Sequence, residues 1–288
     1  MRDFDRRLTP ARPDLAAEHL KGEVFAERFA AGAVRRVVAS AVPLRPAPDH
    51  ARSIDTELLF GEGFVVYETQ EGWAWGQAVT DDYVGYVAAG ALSADDRGPV
   101  PTHRVAALRT YRYPEAELKR PPLGLLSMGA LVSVIDRTTV RGLDYALLSD
   151  GSAVVARHLV SLEHREPDWV AIAERFLGTP YLWGGRTSLG LDCSALVQIA
   201  ASAGGLKAPR DSDMQEEGFG APLDSAAGLP DLRRGDLVFW KGHVGIMLDA
   251  DRLLHANGHS MTVAIELLAT ASARMAEAGL PITAVRRP

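Results

Sequence analysis

Leu191-Asp192-Cys193-Ser194-Ala195-Leu196-Val197-Gln198 contains the only cysteine of the 288-residue chain, so no intrachain disulfide can form. Asp192 is a good helix cap, and Ala195, Leu196, Ile199 and Ala200 follow at helical spacing. The pattern predicts a helix with Cys193 in its first turn, ending near Gly204-Gly205. Unpaired N–H groups and the positive dipole end at such a start favour a thiolate over a thiol. Just upstream, Gly178-Thr179-Pro180-Tyr181-Leu182-Trp183-Gly184-Gly185 ends in two glycines that allow a chain or a substrate to approach closely. Downstream, His243 and His255 sit in apolar stretches. A lone cysteine with histidines elsewhere is a candidate nucleophile. The plainer alternative is a buried cysteine acting as a small hydrophobe, and the helix start and the two histidines weigh against it.

Around this helix the C-terminal pattern is mixed. Glu166-Pro167-Asp168 opens a helix lined by Trp169, Ile172, Ala173 and Phe176, with Gly178 past its end. Pro209-Arg210-Asp211-Ser212 leads into another short helix. A turn and strand are predicted over Gly235–Trp240, further strands at Gly242–Leu248, Arg252–Asn257 and Thr283–Val285, and a helix from about 266 to 278. A helix carries the cysteine and an antiparallel sheet carries the histidines, an α+β arrangement.

The N-terminal half reads differently. Residues 1 to about 13 form a charged, proline-containing arm, and Leu15, Leu20, Val24, Phe25 and Phe29 predict a short N-terminal helix over 14–31. From Val34 onward come short aromatic strands broken by Gly and Asp, among them Phe64-Val65-Val66-Tyr67, Gly72-Trp73-Ala74-Trp75 and Tyr83-Val84-Gly85-Tyr86-Val87. They argue a small β-barrel and resemble the bacterial SH3-type domain. After a polar linker over 95–101 the pattern partly repeats, with Asp150-Gly151 as a hairpin signal, and implies a second barrel of the same kind. The expected domains are an arm and helix over 1–33, SH3-like barrels over 34–96 and 97–163, and the cysteine domain over 164–288.

Composition bounds the rest. With 47% hydrophobic and 24% charged residues and a formal net charge of −6, the chain is globular and shows no basic face that would mark a nucleic-acid partner. No apolar run approaches a membrane span, and the N-terminus does not read as a secretory signal, so cytoplasm is the expectation. His255-Ala256-Asn257-Gly258-His259 has the i, i+4 spacing of a helical metal pair. It lacks a Glu after the first histidine, and Gly258 marks a turn, so no metal and no cofactor are expected.

Thiolate attack on an amide needs a nucleophile, a base and a group that orients the base. Cys193, His243 and His255 suit these roles, because one His255 nitrogen can accept the N–H of His243. The Cys193 backbone N–H and the Tyr181 hydroxyl are the oxyanion candidates. Plainer roles exist: His243 as an ordinary strand histidine, Asp192 as a cap only, Arg210 and Asp211 as a surface ion pair, Trp183 and Trp240 as packing residues.

Five segments in this order and spacing resemble the NlpC/p60 cysteine peptidases of the bacterial cell wall: Tyr181-Leu182-Trp183-Gly184-Gly185, Leu191-Asp192-Cys193-Ser194, Pro209-Arg210-Asp211-Ser212, Arg234-Gly235-Asp236-Leu237-Val238-Phe239 and His243-Val244-Gly245-Ile246. With the SH3-like segments the similarity extends to endopeptidases that cut murein peptides after γ-D-glutamate. The resemblance implies a papain-like core with Cys193, His243 and His255 as the catalytic set and Tyr181 near the oxyanion. The implied substrate is L-Ala-γ-D-Glu-diamino acid, cut after D-Glu. In such relatives the first SH3-like domain closes one end of the cleft and helps bind the L-alanine amine. That implies Asp211, a barrel carboxylate (Glu57 or Glu62) and the Tyr83 hydroxyl here, although Asp81-Asp82 stands where the pattern has a turn glycine. Asp192, Ser194, Arg210 and Ser212 would shape the D-Glu pocket, with Trp183 beside it. A wall amidase or thiol acyltransferase of the same fold, or a non-catalytic wall-peptide binder, are the alternatives.

Overall fold

The structure is a computed structural model that describes residues 4–94, 98–224, 229 and 231–288. Asp95–Arg97, the start of the expected linker and the expected boundary between the barrels, lie outside the described residues. The chain divides into two compact units, Met1–Leu162 and Glu163–Pro288.

In the first unit, strands Ala33–Arg36, Gly63–Gln70, Trp73–Ala78 and Val84–Ala88 form an antiparallel sheet in that order, with a paired Ala41–Leu44 and Thr56–Leu59 beside it. Val42, Leu44, Leu58, Phe64 and Val87 fill the interior. The second SH3-like half repeats the plan with a five-stranded and a three-stranded sheet around Val105, Leu126, Val132, Leu148 and Val154. The repeat extends to the hairpin turns. Glu71-Gly72 and Arg141-Gly142 both take positive φ at both residues, the backbone whose twist matches that of paired strands. Asp150-Gly151 also joins two antiparallel strands, Leu143–Leu148 and Ala153–Val155.

The helix expected over 14–31 is not formed. Leu15–Ala17 is a strand, paired in parallel with Arg28–Ala30, and only a single 3-10 turn, Glu18–Leu20, lies between them. Gly22 takes φ 91 and turns the chain. Packing decides the matter: Leu15 buries against Trp75 and Val84 of the barrel, and a weak, half-polar helical period cannot compete with that burial. The arm is not loose either. The Arg7 carbonyl accepts the Val84 N–H at 2.7 Å, and Arg12 stacks over Trp75 at 4.3 Å while pairing with Asp14 and Glu68.

In the second unit, helix α1, Trp169–Glu174, is capped by Asp168, whose carboxylate accepts the Val170 and Ala171 N–H groups. Helix α2, Cys193–Ala203, is buried along almost its whole length. It packs on the strands His243–Met247 and Arg252–Asn257. These belong to a six-stranded sheet ordered Ala221–Pro222, Ile282–Arg287, Leu237–Trp240, His243–Met247, Arg252–Asn257, Thr262–Leu267. Helix α3, Ser212–Gly218, follows the Pro209-Arg210 loop, and helix α4, Leu268–Glu277, packs its Leu268 and Ala271 against Trp240, Met247 and Leu253. A helix that carries the cysteine against an antiparallel sheet is the α+β, papain-like arrangement.

Candidate active site

The start of α2 is fixed by Asp192. Its Oδ1 accepts the Ala195 N–H at 2.8 Å, and its Oδ2 accepts the Gly184 N–H at 3.0 Å. The Trp-Gly-Gly segment is thereby tied to the cysteine helix. A Cβ on Gly185 would lie 2.6 Å from the Gly190 carbonyl oxygen, so the chain's own hairpin occupies the close approach that the glycine permits. Arg210, only 1% exposed, holds both Asp192 oxygens, at 3.0 and 2.7 Å, and donates to the Ser194 hydroxyl at 2.9 Å. Gln215 donates to the Ser194 carbonyl at 3.0 Å. Arg210 therefore makes a buried, bidentate pair with Asp192, where the sequence had suggested a surface pair with Asp211.

Cys193 is 6% exposed and lies at the first turn of α2. Burial pushes its thiol up to about 12, and Asp192 adds to the rise. The Val244 and Ser194 N–H groups and the Arg210 charge pull the other way and are outweighed. Burial therefore favours the thiol. It works against the thiolate that the helix start favours, because removing an anion from water costs more than a fractional helix charge returns. The Val244 N–H places the sulfur beside the strand that begins at His243.

His243 is set by the turn Lys241-Gly242, whose glycine takes φ 75, and pairs across the hairpin with Trp240. Its Nε2 lies 2.8 Å from His255 Nδ1. The other His255 nitrogen, Nε2, lies 2.7 Å from Glu266 Oε1, and Arg274 of α4 grips both Glu266 oxygens, at 2.6 and 2.8 Å. Burial pushes His243 down to about 3, with His255 and Arg274 acting in the same sense and Glu266 opposing. Burial also lowers His255. Tyr181 is half-buried; burial first, then Cys193 and Asp192, raise its hydroxyl, so it stays protonated as a donor close to the sulfur.

Of the other expected residues in this unit, Asp211 and Ser212 open α3, both half-buried, and Trp183 is 65% exposed. In the N-terminal unit Glu57 is buried on Thr56–Leu59. Glu62 accepts the Leu59 N–H at 2.7 Å and the Thr80 hydroxyl at 3.1 Å. Tyr83 packs in the first barrel's core. Asp82 takes φ 63, so an aspartate adopts the left-handed turn where the family pattern has glycine. The sequence reading missed Glu266, Arg274 and Gln215. Glu266 stood at the start of the helix expected from about 266 to 278, whereas it lies on the strand Thr262–Leu267, and the helix begins only at Leu268. Among the described residues no group of three His, Cys, Asp or Glu could hold a metal, and no helix is long and apolar enough to cross a membrane.

A helix-borne thiol beside a strand that opens with a histidine, itself bonded to a second histidine, is the constellation of a cysteine hydrolase. Comparison with known proteins defines it further: residues 178–276 match the NlpC/P60 family, and residues 44–92 match the bacterial dipeptidyl-peptidase Sh3 domain. The C-terminal unit thus carries an NlpC/P60 peptidase domain, and the first barrel a bacterial SH3 domain. The chain is 28% identical over 224 residues to a γ-D-glutamyl-L-lysine dipeptidyl-peptidase of Bacillus subtilis, covering 70% of this chain and 72% of that one. It is 32% identical over 103 residues to dipeptidyl-peptidase 6 of Lysinibacillus sphaericus, 36% of each chain. An NlpC/P60 family protein from Bacillus cereus shares the fold at a TM-score of 0.72 and 20% identity, over 88% of this chain and 99% of that one.

Proposed function

We propose that the protein hydrolyses the bond between γ-D-glutamate and the diamino acid of murein peptides, with Cys193 as nucleophile and His243 as base. The observation that supports this best is the 2.8 Å contact between His243 and His255 beside the cysteine helix. The name of the Bacillus subtilis relative, a γ-D-glutamyl-L-lysine dipeptidyl-peptidase, points to the same bond class. His255 holds the His243 Nε2–H, which leaves Nδ1 as the basic nitrogen. His243 takes the thiol proton as the sulfur attacks the carbonyl, because the buried thiol and the buried imidazole both favour their neutral forms at rest. The oxyanion accepts from the Cys193 N–H and the Tyr181 hydroxyl. His243 then protonates the leaving amine, and water, deprotonated by His243, hydrolyses the thioester.

Asp192, Ser194 and Arg210 hold the helix start and, with Ser212 and Trp183, border the D-Glu site in this reading. Asp211 takes the free L-alanine amine in this reading. An amine-binding carboxylate would make the enzyme a trimmer of released peptides with free N-termini. The test is mass spectrometry of a murein-peptide digest with wild-type protein and Cys193→Ser. Wild type is expected to release L-Ala-D-Glu from the free tripeptide, and the variant nothing. Equal rates on N-acetylmuramyl-linked stems would remove the free-amine requirement, and release of whole stem peptides from muramic acid would make the enzyme an amidase.

A further inference from the structure

Two diagonal steps cross the sheet behind the thiol. Ile246 pairs with Leu254 and Met247 with Leu253; continuing that register sets Gly245 opposite His255. On its other side His255 pairs directly with Ala264, while Glu266 pairs with Leu253. A Cβ on Gly245 would meet the Leu253 side chain, so Leu253 fills the space beside that glycine. His255 instead reaches diagonally, to His243 on one strand at 2.8 Å and to Glu266 on the other at 2.7 Å, across positions whose Cβ atoms are about 7 Å apart.

We propose that Glu266, held by Arg274, is a positioning residue that fixes the tautomers of both histidines. The proposal rests on the cysteine-peptidase reading above. A carboxylate gripped at both oxygens by a guanidinium is ionised and only accepts hydrogen bonds. His255 Nε2, 2.7 Å away, must therefore carry the proton. A neutral imidazole has one N–H, so His255 Nδ1 is the lone pair. The proton in the 2.8 Å contact then belongs to His243 Nε2, and His243 Nδ1 is left bare as the base. Without Glu266, nothing in this chain of bonds prevents His255 from placing its proton on Nδ1, against His243. Glu266 has a second effect. The charged and titratable groups facing the imidazole pair are Glu266 and Arg274, with Cys193 beyond. Arg274 opposes a positive His243 and Glu266 favours it, so the carboxylate offsets the guanidinium when His243 takes the thiol proton.

The test uses the full chain and the tripeptide L-Ala-γ-D-Glu-diaminopimelate. Glu266→Gln is expected to lower kcat about tenfold, a part of the ~100-fold or more that a general base contributes, with KM nearly unchanged. The acidic limb of kcat/KM moves to lower pH, because His243 loses the group that favours its protonation. Adding Arg274→Met to Glu266→Gln is expected to return the acidic limb towards higher pH, since the uncompensated guanidinium is then gone, while the kcat lost with the fixed tautomer stays lost; a packing role would not show this split. On the unaltered protein, 15N NMR of the imidazoles is expected to show His255 and His243 both protonated on Nε2. A wild-type kcat for Glu266→Gln, or a His255 protonated on Nδ1, overturns the proposal even if Cys193→Ala is inactive. Turnover by Cys193→Ala would instead overturn the peptidase reading on which it rests.

Discussion

Arg210 and Asp192 meet as full charges in the interior, with side chains 1% and 11% exposed. Two hydrogen bonds between them, and a third from Arg210 to the Ser194 hydroxyl, satisfy groups that could not be left bare. Breaking such a pair from one side strands a charge, at a cost of about 3–5 kcal/mol, whereas removing both charges together is often nearly neutral. Arg210→Met is therefore expected to destabilise the protein by about 3–5 kcal/mol in urea unfolding, and Asp192→Asn in the same chain to recover much of it. If the double variant is no more stable than Arg210→Met alone, the pair is not the unit that matters. Tyr181 belongs to the same neighbourhood. A hydroxyl that donates only to the developing oxyanion should lower kcat and kcat/KM equally when removed, so Tyr181→Phe is expected to reduce both by about 100-fold. A rise in KM alone would place its contact in substrate binding.

At the scale of elements, the helix start is tied to the segment before it. The Gly184 N–H bonds Asp192, and the Asp192 N–H bonds the Gly185 carbonyl at 3.3 Å. Gly185→Ala would push a Cβ to 2.6 Å from the Gly190 carbonyl oxygen, a backbone atom that no rotamer change can move. The expected outcome is about 1–3 kcal/mol of destabilisation and slower turnover with a displaced Cys193, measured by urea unfolding and kcat; wild-type values for both would show the hairpin free to shift. Where a signal was local, the sequence expressed it. Asp168 and Asp192 mark their helices, the glycine turns mark the barrel hairpins, and the lone cysteine with two histidines marks the site. What escaped was decided across the fold. The arm around Leu15 has a helical period but takes its shape from Trp75 and Val84 of the barrel. The inward turn of Glu266 depends on a diagonal to His255 and on Arg274 from α4, neither of which a sequence period reports. The burial that opposes a thiolate at Cys193 is likewise set across the fold, whereas the helix start that favours it is local.

For the molecule as a whole, pH dependence of stability should come from few groups. The arm carries a visible ion-pair network, Arg12 with Asp14 and Glu68 and Arg28 with Glu68. Its partners are 19% to 60% exposed, and solvent screens such pairs to small contributions. The buried groups of the C-terminal unit differ. His243 falls from 6.5 to about 3 on folding, driven first by burial, and His255 moves the same way. Between those two values the unfolded chain binds protons that the folded chain refuses, so unfolding free energy rises with pH there. Glu266, lowered from 4.5 to about 2 mainly by Arg274, adds the same sign: its contribution is present above 4.5 and lost as pH falls. Cys193, raised from 9.0 to about 12, works at the other end. Above pH 9 the unfolded chain sheds a thiol proton that the folded chain keeps, and stability falls. Each fully buried group can contribute a slope of at most about 1.4 kcal/mol per pH unit. Urea unfolding from pH 4 to 10.5 should therefore give a dome. In Cys193→Ala the decline above pH 9 is expected to flatten while the acidic side keeps its slope. If the alkaline decline persists unchanged in that variant, the buried thiol is not its source, and the neutral resting pair drawn from its burial fails with it.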